Sequence, residues 1–211
     1  MALPEVLEKI EAAARRAGRD PASVRLVAVT KGHSPAEIRE KVLAYGDFPL
    51  GESRVQEALP KIEALPEACF HFIGPLQSNK ARFMDRFELV HSLDSLRVAE
   101  TLNRRMPHPV DVLIEVNAGR EPQKHGILPE DFDAFFEAVS ALPRLKVRGL
   151  MTVAPKTDDP RRLRAVFAEV RELADRYNLP ERSMGMSADY EIAVEEGATL
   201  VRIGRAIFDE L

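Results

Sequence analysis

Lys31, Arg202, Ser187 and Gly204 are placed where they could do chemistry on a small ligand. Lys31 closes the apolar run VRLVAVTK (24–31), and an amine at the end of a buried strand is a candidate nucleophile. Desolvation among apolar neighbours lowers a lysine's pKa and leaves the amine uncharged. Arg202 interrupts VRIG (201–204), and a guanidinium buried there is costly unless it meets an acceptor. Ser187 in GMSADYEIAV (185–194) and Gly204 in RIGRAIF (202–208) each open a helical run. Free backbone N–H groups at a helix start favour an anion. Taken singly, each residue has a plain structural reading: the lysine emerges into solvent, the serine caps, the glycine turns, and the arginine joins an ion pair. Together they fit one ligand, with an aldehyde for the amine, a phosphate for the two helix starts and a ring nitrogen for the guanidinium. Pyridoxal 5′-phosphate (PLP) carries all three. A lysine-imine aldolase acting on phosphorylated sugars would share the amine and the phosphate site, but it gives Arg202 no ring nitrogen to meet.

The elements that must position these residues alternate along the chain. Val6, Ile10, Ala13 and Ala14 lie at helical spacing near the N-terminus, before Gly18. Strand-like runs then occur at 25–30, 48–53, 69–74, 87–92, 111–116, 146–151, 182–187 and 199–204. Something helical follows each. Ser34, Pro35 and Glu37 form a capping-box start, Asp94 is the expected cap of the helix after the fourth strand, and Asp159-Pro160 opens a long helix. Eight strand–helix units predict a single α/β domain over 1–211, a closed (β/α)8 TIM barrel with an extra N-terminal helix. An open doubly wound sheet is the alternative, because the second strand is weak and contains Pro49. In a barrel, the ends of strands 1, 7 and 8 meet at one C-terminal face, where such folds place their sites.

Bulk properties narrow the partners. The 30 basic and 34 acidic residues leave a net charge of −4, too balanced for a nucleic-acid binder. No apolar stretch approaches the ~20 residues of a membrane span, and no signal peptide opens the chain, so a cytoplasmic protein is expected. Cys69 is the single cysteine, and the five histidines do not fall at metal-motif spacing. No metal site is expected, and without an evident interface seam the expected state is a monomer.

AVTK, GESRVQE, HFIGPLQSNK, RGLM, GMSADYEIAV and VRIGRAIF occur here in the order seen in the pyridoxal phosphate homeostasis protein family. The chain resembles that family over roughly residues 5 to 208, and through it the barrel domain of bacterial alanine racemase. The resemblance implies that Lys31 is the Schiff-base lysine, holding PLP as a covalent imine. It implies that Ser187, Gly204 and the backbone N–H of Arg205 hold the phosphate, and that Arg202 faces the pyridine nitrogen. His71 and Met151 would line the ring pocket, with Ser53 a further contact. Three positions depart from the family pattern: Ser53 replaces an asparagine, Arg205 a threonine or serine, and His33 a second lysine. The implied activity is binding, buffering and delivery of PLP without robust turnover, with PLP-dependent apo-enzymes as transient recipients. The alternative is a PLP-dependent amino-acid racemase. An arginine at the pyridine nitrogen disfavours protonating it and weakens the ring as an electron sink. The chain stops at Leu211, which leaves no expected β domain to supply a tyrosine acid/base, and Tyr190 is read as a helix surface residue.

Overall fold

The computed structural model describes residues 1–209. Eight parallel strands close in sequence order, each hydrogen-bonded to the next and the eighth to the first. They are β1 (Arg25–Val29), β2 (Leu50–Glu52), β3 (Phe70–Phe72), β4 (Leu89–Leu93), β5 (Val110–Glu115), β6 (Leu145–Met151), β7 (Glu181–Ser183) and β8 (Leu200–Ile203). The open-sheet alternative is thereby excluded. Pro49 does not disturb the second strand, because it precedes β2 and needs only its carbonyl, which accepts from the Ala28 N–H at 2.9 Å.

The outer ring follows the apolar periodicity. Helices α1 (Leu3–Arg16), α2 (Pro35–Lys41), α3 (Val55–Ala64), α4 (Leu96–Arg105), α5 (Phe132–Ser140), α6 (Pro160–Arg176), α7 (Tyr190–Glu195) and α8 (Arg205–Phe208) surround the sheet. In α6, Leu163, Val166, Phe167, Val170, Leu173 and Ala174 are buried, which is one stripe of a 3.6-residue period. The extra helix α1 buries Leu3, Val6, Ile10, Ala13 and Ala14 and packs across α7 and α8. Arg16 reinforces this contact through Glu195, at 2.9 Å.

Two local expectations change. The segment after β3 is a 3₁₀ stretch, Ser78–Arg86, rather than an α-helix. Only Ala81 and Met84 are buried in it, and a three-residue spacing suits the tighter helix. At α4 the cap is Ser95, whose Oγ accepts from the Val98 N–H at 3.3 Å, instead of Asp94. Asp94 accepts from the Gly126 N–H at 3.0 Å and so ties the loop after β4 to the loop after β5.

Candidate functional site

Strand parity fixes which side chains point inward. Val27, Leu89, Leu113, Met151 and Leu200 meet inside the barrel as one apolar layer. Counting by twos toward the C-terminal mouth leads from Val27 to Val29 and Lys31, from Leu113 to Glu115, and from Leu200 to Arg202 and Gly204. Arg202, the polar residue singled out by sequence on β8, therefore shares the parity of the interior, whereas Lys31 lies beyond the end of β1.

Lys31 stands on the turn after β1 and is exposed, so the desolvating environment expected around its amine is not found. What the structure builds instead is a clamp on its backbone. The Lys61 ammonium, on α3, donates to the Thr30 carbonyl at 2.7 Å, to Glu52 Oε2 at 3.0 Å and to Glu57 Oε2 at 2.6 Å. The Gly32 N–H donates to the same Glu57 oxygen at 2.7 Å, and the Thr30 hydroxyl bonds Glu52. Both peptide groups flanking Lys31 are thus held by one buried ion cluster. Burial pushes the Glu52 carboxyl up against the pull of Thr30 and Lys61. At the rim, burial would raise Glu57 as well, but hydrogen bonds from Lys61 and Gly32 outweigh it and hold that carboxyl down.

A cavity of about 880 Å³ opens beside this turn, with Lys31, Ser53, Gln56, Phe72 and Lys80 in its wall. It lies over β1 to β3, and Arg202, Ser187 and Gly204 are not part of its lining. Those three sit on the other side of β1. Arg202 is buried at 4 % exposure, with Nη1 donating to Ser183 Oγ at 2.5 Å and Nη2 to the Thr152 carbonyl at 2.9 Å. Burial lowers its pKa to about 10, opposed by the charges of Glu115 and Asp189. Gly204 is pressed against β1: a Cβ there would lie 3.1 Å from both the Val29 Cβ and the Val29 carbonyl. The loop after β8 consequently runs beside the strand that ends at Lys31.

Ser187 does not open α7, which begins at Tyr190. Gly185 leaves the extended region at φ +103°, a backbone state that favours glycine, and turns the chain away from β7. This turn carries Ser187 to α8, where its Oγ accepts from the Ala206 N–H at 3.1 Å. The loops after β7 and β8 are joined by that bond, and the side chain of Arg205 is exposed beside it.

The remaining expected residues separate. Ser53 lines the cavity next to Lys31. Met151 is buried in the interior apolar layer below the mouth. His71 is directed elsewhere: its Nδ1 meets His91 Nε2 at 2.9 Å and its Nε2 meets Glu88 Oε1 at 3.0 Å, toward the N-terminal end of the barrel. Both ring nitrogens are engaged there, so lining a pocket at the mouth is not the role this geometry gives His71. His33 stacks on Phe208 at 3.9 Å between ring centres and bonds Glu37, away from the Lys31 amine. Tyr190 is buried at 4 % exposure rather than a surface residue.

Residues not singled out by sequence also belong here. Lys61 carried one faint signal, its i+4 spacing from Glu57. Glu115 and His91 occupy inward positions in LIEV and LVHS, where a polar residue breaks an otherwise apolar face, whereas Ser183 lies in ERS, which offers no apolar pattern to break. Burial pushes the Glu115 carboxyl up to about 7, with Asp94 adding to the rise and Arg202 and His125 opposing it.

The alanine racemase N-terminal domain family model matches residues 3–210. The pyridoxal phosphate homeostasis protein of Deinococcus radiodurans is 49 % identical over 99 % of this chain and 100 % of its own length. Its counterpart in Aquifex aeolicus is 44 % identical over 99 % and 96 %. Among solved structures, PipY of Synechococcus elongatus PCC7942 with PLP bound superposes with a TM-score of 0.81 at 37 % identity, covering 95 % of this chain and 99 % of PipY. Alanine racemase of Corynebacterium glutamicum shares the fold, with a TM-score of 0.71 at 19 % identity, and this chain spans 60 % of it.

Proposed function

Because the chain belongs to the pyridoxal phosphate homeostasis proteins, whose barrel is that of the alanine racemase N-terminal domain, we propose that it binds PLP at the C-terminal mouth and holds it reversibly as an imine on Lys31. The observation that carries the reading is the contact of β8 with β1. The register pairs Ala28 with Ile203, so the Gly204 turn lies beside Val29, two residues before the amine. An amine, a hydroxyl-bearing turn and a buried guanidinium are thereby gathered on the adjacent strands β7, β8 and β1, which suits an aldehyde, a phosphate and a ring nitrogen carried by one molecule.

When bound, the cofactor supplies an aldehyde to the amine and an electron-withdrawing ring. The chain's own groups have separate tasks. Lys61, Glu52 and Glu57 fix the Thr30–Gly32 backbone and so limit where Lys31 can reach. Ser187 and the peptide groups at Gly204 and Arg205 receive the phosphate. Arg202 keeps positive charge opposite the ring nitrogen and disfavours protonation of that nitrogen. That placement favours holding and release over carbanion chemistry, in keeping with buffering PLP and passing it to apo-enzymes that need it.

Purified protein incubated with PLP is expected to show a visible absorbance band, and borohydride is expected to fix the adduct on Lys31. Lys31→Ala should erase both. An unmodified Lys31 after reduction of a protein that retains PLP would exclude the imine. Cα-deuterium exchange of single amino-acid enantiomers with sustained turnover would favour a racemase instead.

A further inference from the structure

We propose that Glu88, His71, His91 and Ser183 form a one-directional hydrogen-bond relay through the barrel interior that positions Arg202 from the opposite mouth. The inference rests on the reading above only in treating Arg202 as the group facing the PLP ring. The relay itself is a property of the ligand-free chain.

Four contacts make an unbroken path across β8, β7, β4 and β3. Arg202 Nη1 meets Ser183 Oγ at 2.5 Å, Ser183 Oγ meets His91 Nδ1 at 2.8 Å, His91 Nε2 meets His71 Nδ1 at 2.9 Å, and His71 Nε2 meets Glu88 Oε1 at 3.0 Å. Arg202, Ser183, His91 and His71 are all at least nine-tenths buried, so water does not compete for these bonds. Glu88 alone reaches the surface, its side chain 47 % exposed at the N-terminal mouth with Arg25 at 3.6 Å and Cys69 beside it.

For a relay of neutral rings, the two ends dictate the polarity of the whole. A guanidinium can only donate and an ionised carboxylate can only accept. Ser183 therefore accepts from Arg202 and has its own proton to give to His91 Nδ1. His91 must then carry its proton on Nε2 and donate it to His71 Nδ1. His71 carries its proton on Nε2 and donates it to Glu88. Each tautomer is set by its neighbour, the way a second partner on a histidine ring fixes its protonated nitrogen. Two supporting observations agree. The hydrogen bond from His71 brings the Glu88 carboxyl down to about 2, and burial with nearby His71 and Arg202 keeps His91 well below the usual imidazole range. The consequence is that Ser183 offers Arg202 an oxygen whose proton is already committed elsewhere, so the guanidinium is pinned at Nη1 by the relay and at Nη2 by Thr152.

Nitrogen-15 NMR of the histidines in ligand-free protein reads the tautomers directly. Expected is a proton on Nε2 and a bare Nδ1 for both His71 and His91; a proton on His91 Nδ1 would overturn the proposal without any variant. Glu88→Lys replaces the terminal acceptor by a donor at an exposed position. It should move both imidazole protons to Nδ1, and an unmoved His91 proton in the folded variant would contradict the relay. Ser183→Ala removes the acceptor of Arg202 and should weaken PLP retention about tenfold while reduction still labels Lys31. Unchanged retention would sink the positioning role. Failure of the wild-type protein to bind PLP at all would count against the cofactor reading, and the tautomer measurement would still decide the relay.

Discussion

Glu115 sits in an environment that opposes the charge its type prefers. It faces inward at the end of β5, and burial lifts its carboxyl from an ordinary 4.5 to about 7. An acid with a raised folded pKa costs stability as pH rises, because the unfolded chain ionises first while the folded protein keeps its proton. Stability should therefore fall between about pH 4.5 and 7 and level off above that window. Glu115→Gln should remove the dependence, gaining up to roughly 3 kcal/mol near pH 8 and nothing below about pH 4. Thermal denaturation at the two pH values measures this, and parallel curves for both proteins would refute it. Lys31 and Arg202 show how far residue type speaks for itself. The position of each at the end of, or within, an apolar run was visible in the sequence. The exposure of the Lys31 amine and the Ser183 and Thr152 partners of Arg202 were not, since those depend on groups distant along the chain.

At the scale of elements, the turn between β1 and α2 is held from outside itself. Lys61 belongs to α3, yet its ammonium bonds Thr30, Glu52 and Glu57 together. Lys61→Met would leave the Glu52 carboxyl buried without its cation, which is expected to cost about 3–5 kcal/mol. Adding Glu52→Gln should recover part of that loss, and urea unfolding of the single and double variants tests the coupling; simple additivity would mean that the cluster is not a unit. The β6–β7 pair has a different constraint. A Cβ on Gly149 would fall 1.9 Å from the Glu181 carbonyl, so the two strands approach only because that side chain is missing. Gly149→Ala should cost at least about 1–3 kcal/mol in the same measurement, and no loss would show that β7 can move aside freely. Helix and strand positions followed from periodicity and capping signals such as Ser34 with Pro35. The 3₁₀ stretch after β3 and the Ser95 cap did not, because neighbouring residues of equal capping ability are separated only by what else claims them, as Gly126 claims Asp94.

For the whole molecule, no helix among the described residues is long and apolar enough to cross a membrane. Among the described residues, the exposed large apolar side chains, Tyr45, Leu96, Leu128, Val153 and Met186, come from five separate segments of the chain. We propose on that ground a monomer, and sedimentation at micromolar concentration should give a single species of monomer mass; a dimer would point to a face these residues share. By itself the sequence determined the alternation of eight strands with helical segments, because alternation and helical period are local properties written in residue order; closure into a barrel rather than an open sheet rests on the pairing of β8 with β1. Only the tertiary structure decided that Gly204 lies against Val29, that Lys61 grips the Lys31 turn, and that His71 faces Glu88 and His91 instead of the mouth. Those contacts join residues far apart along the chain, and they are set by the closure of β8 on β1 and by packing, which no local pattern records.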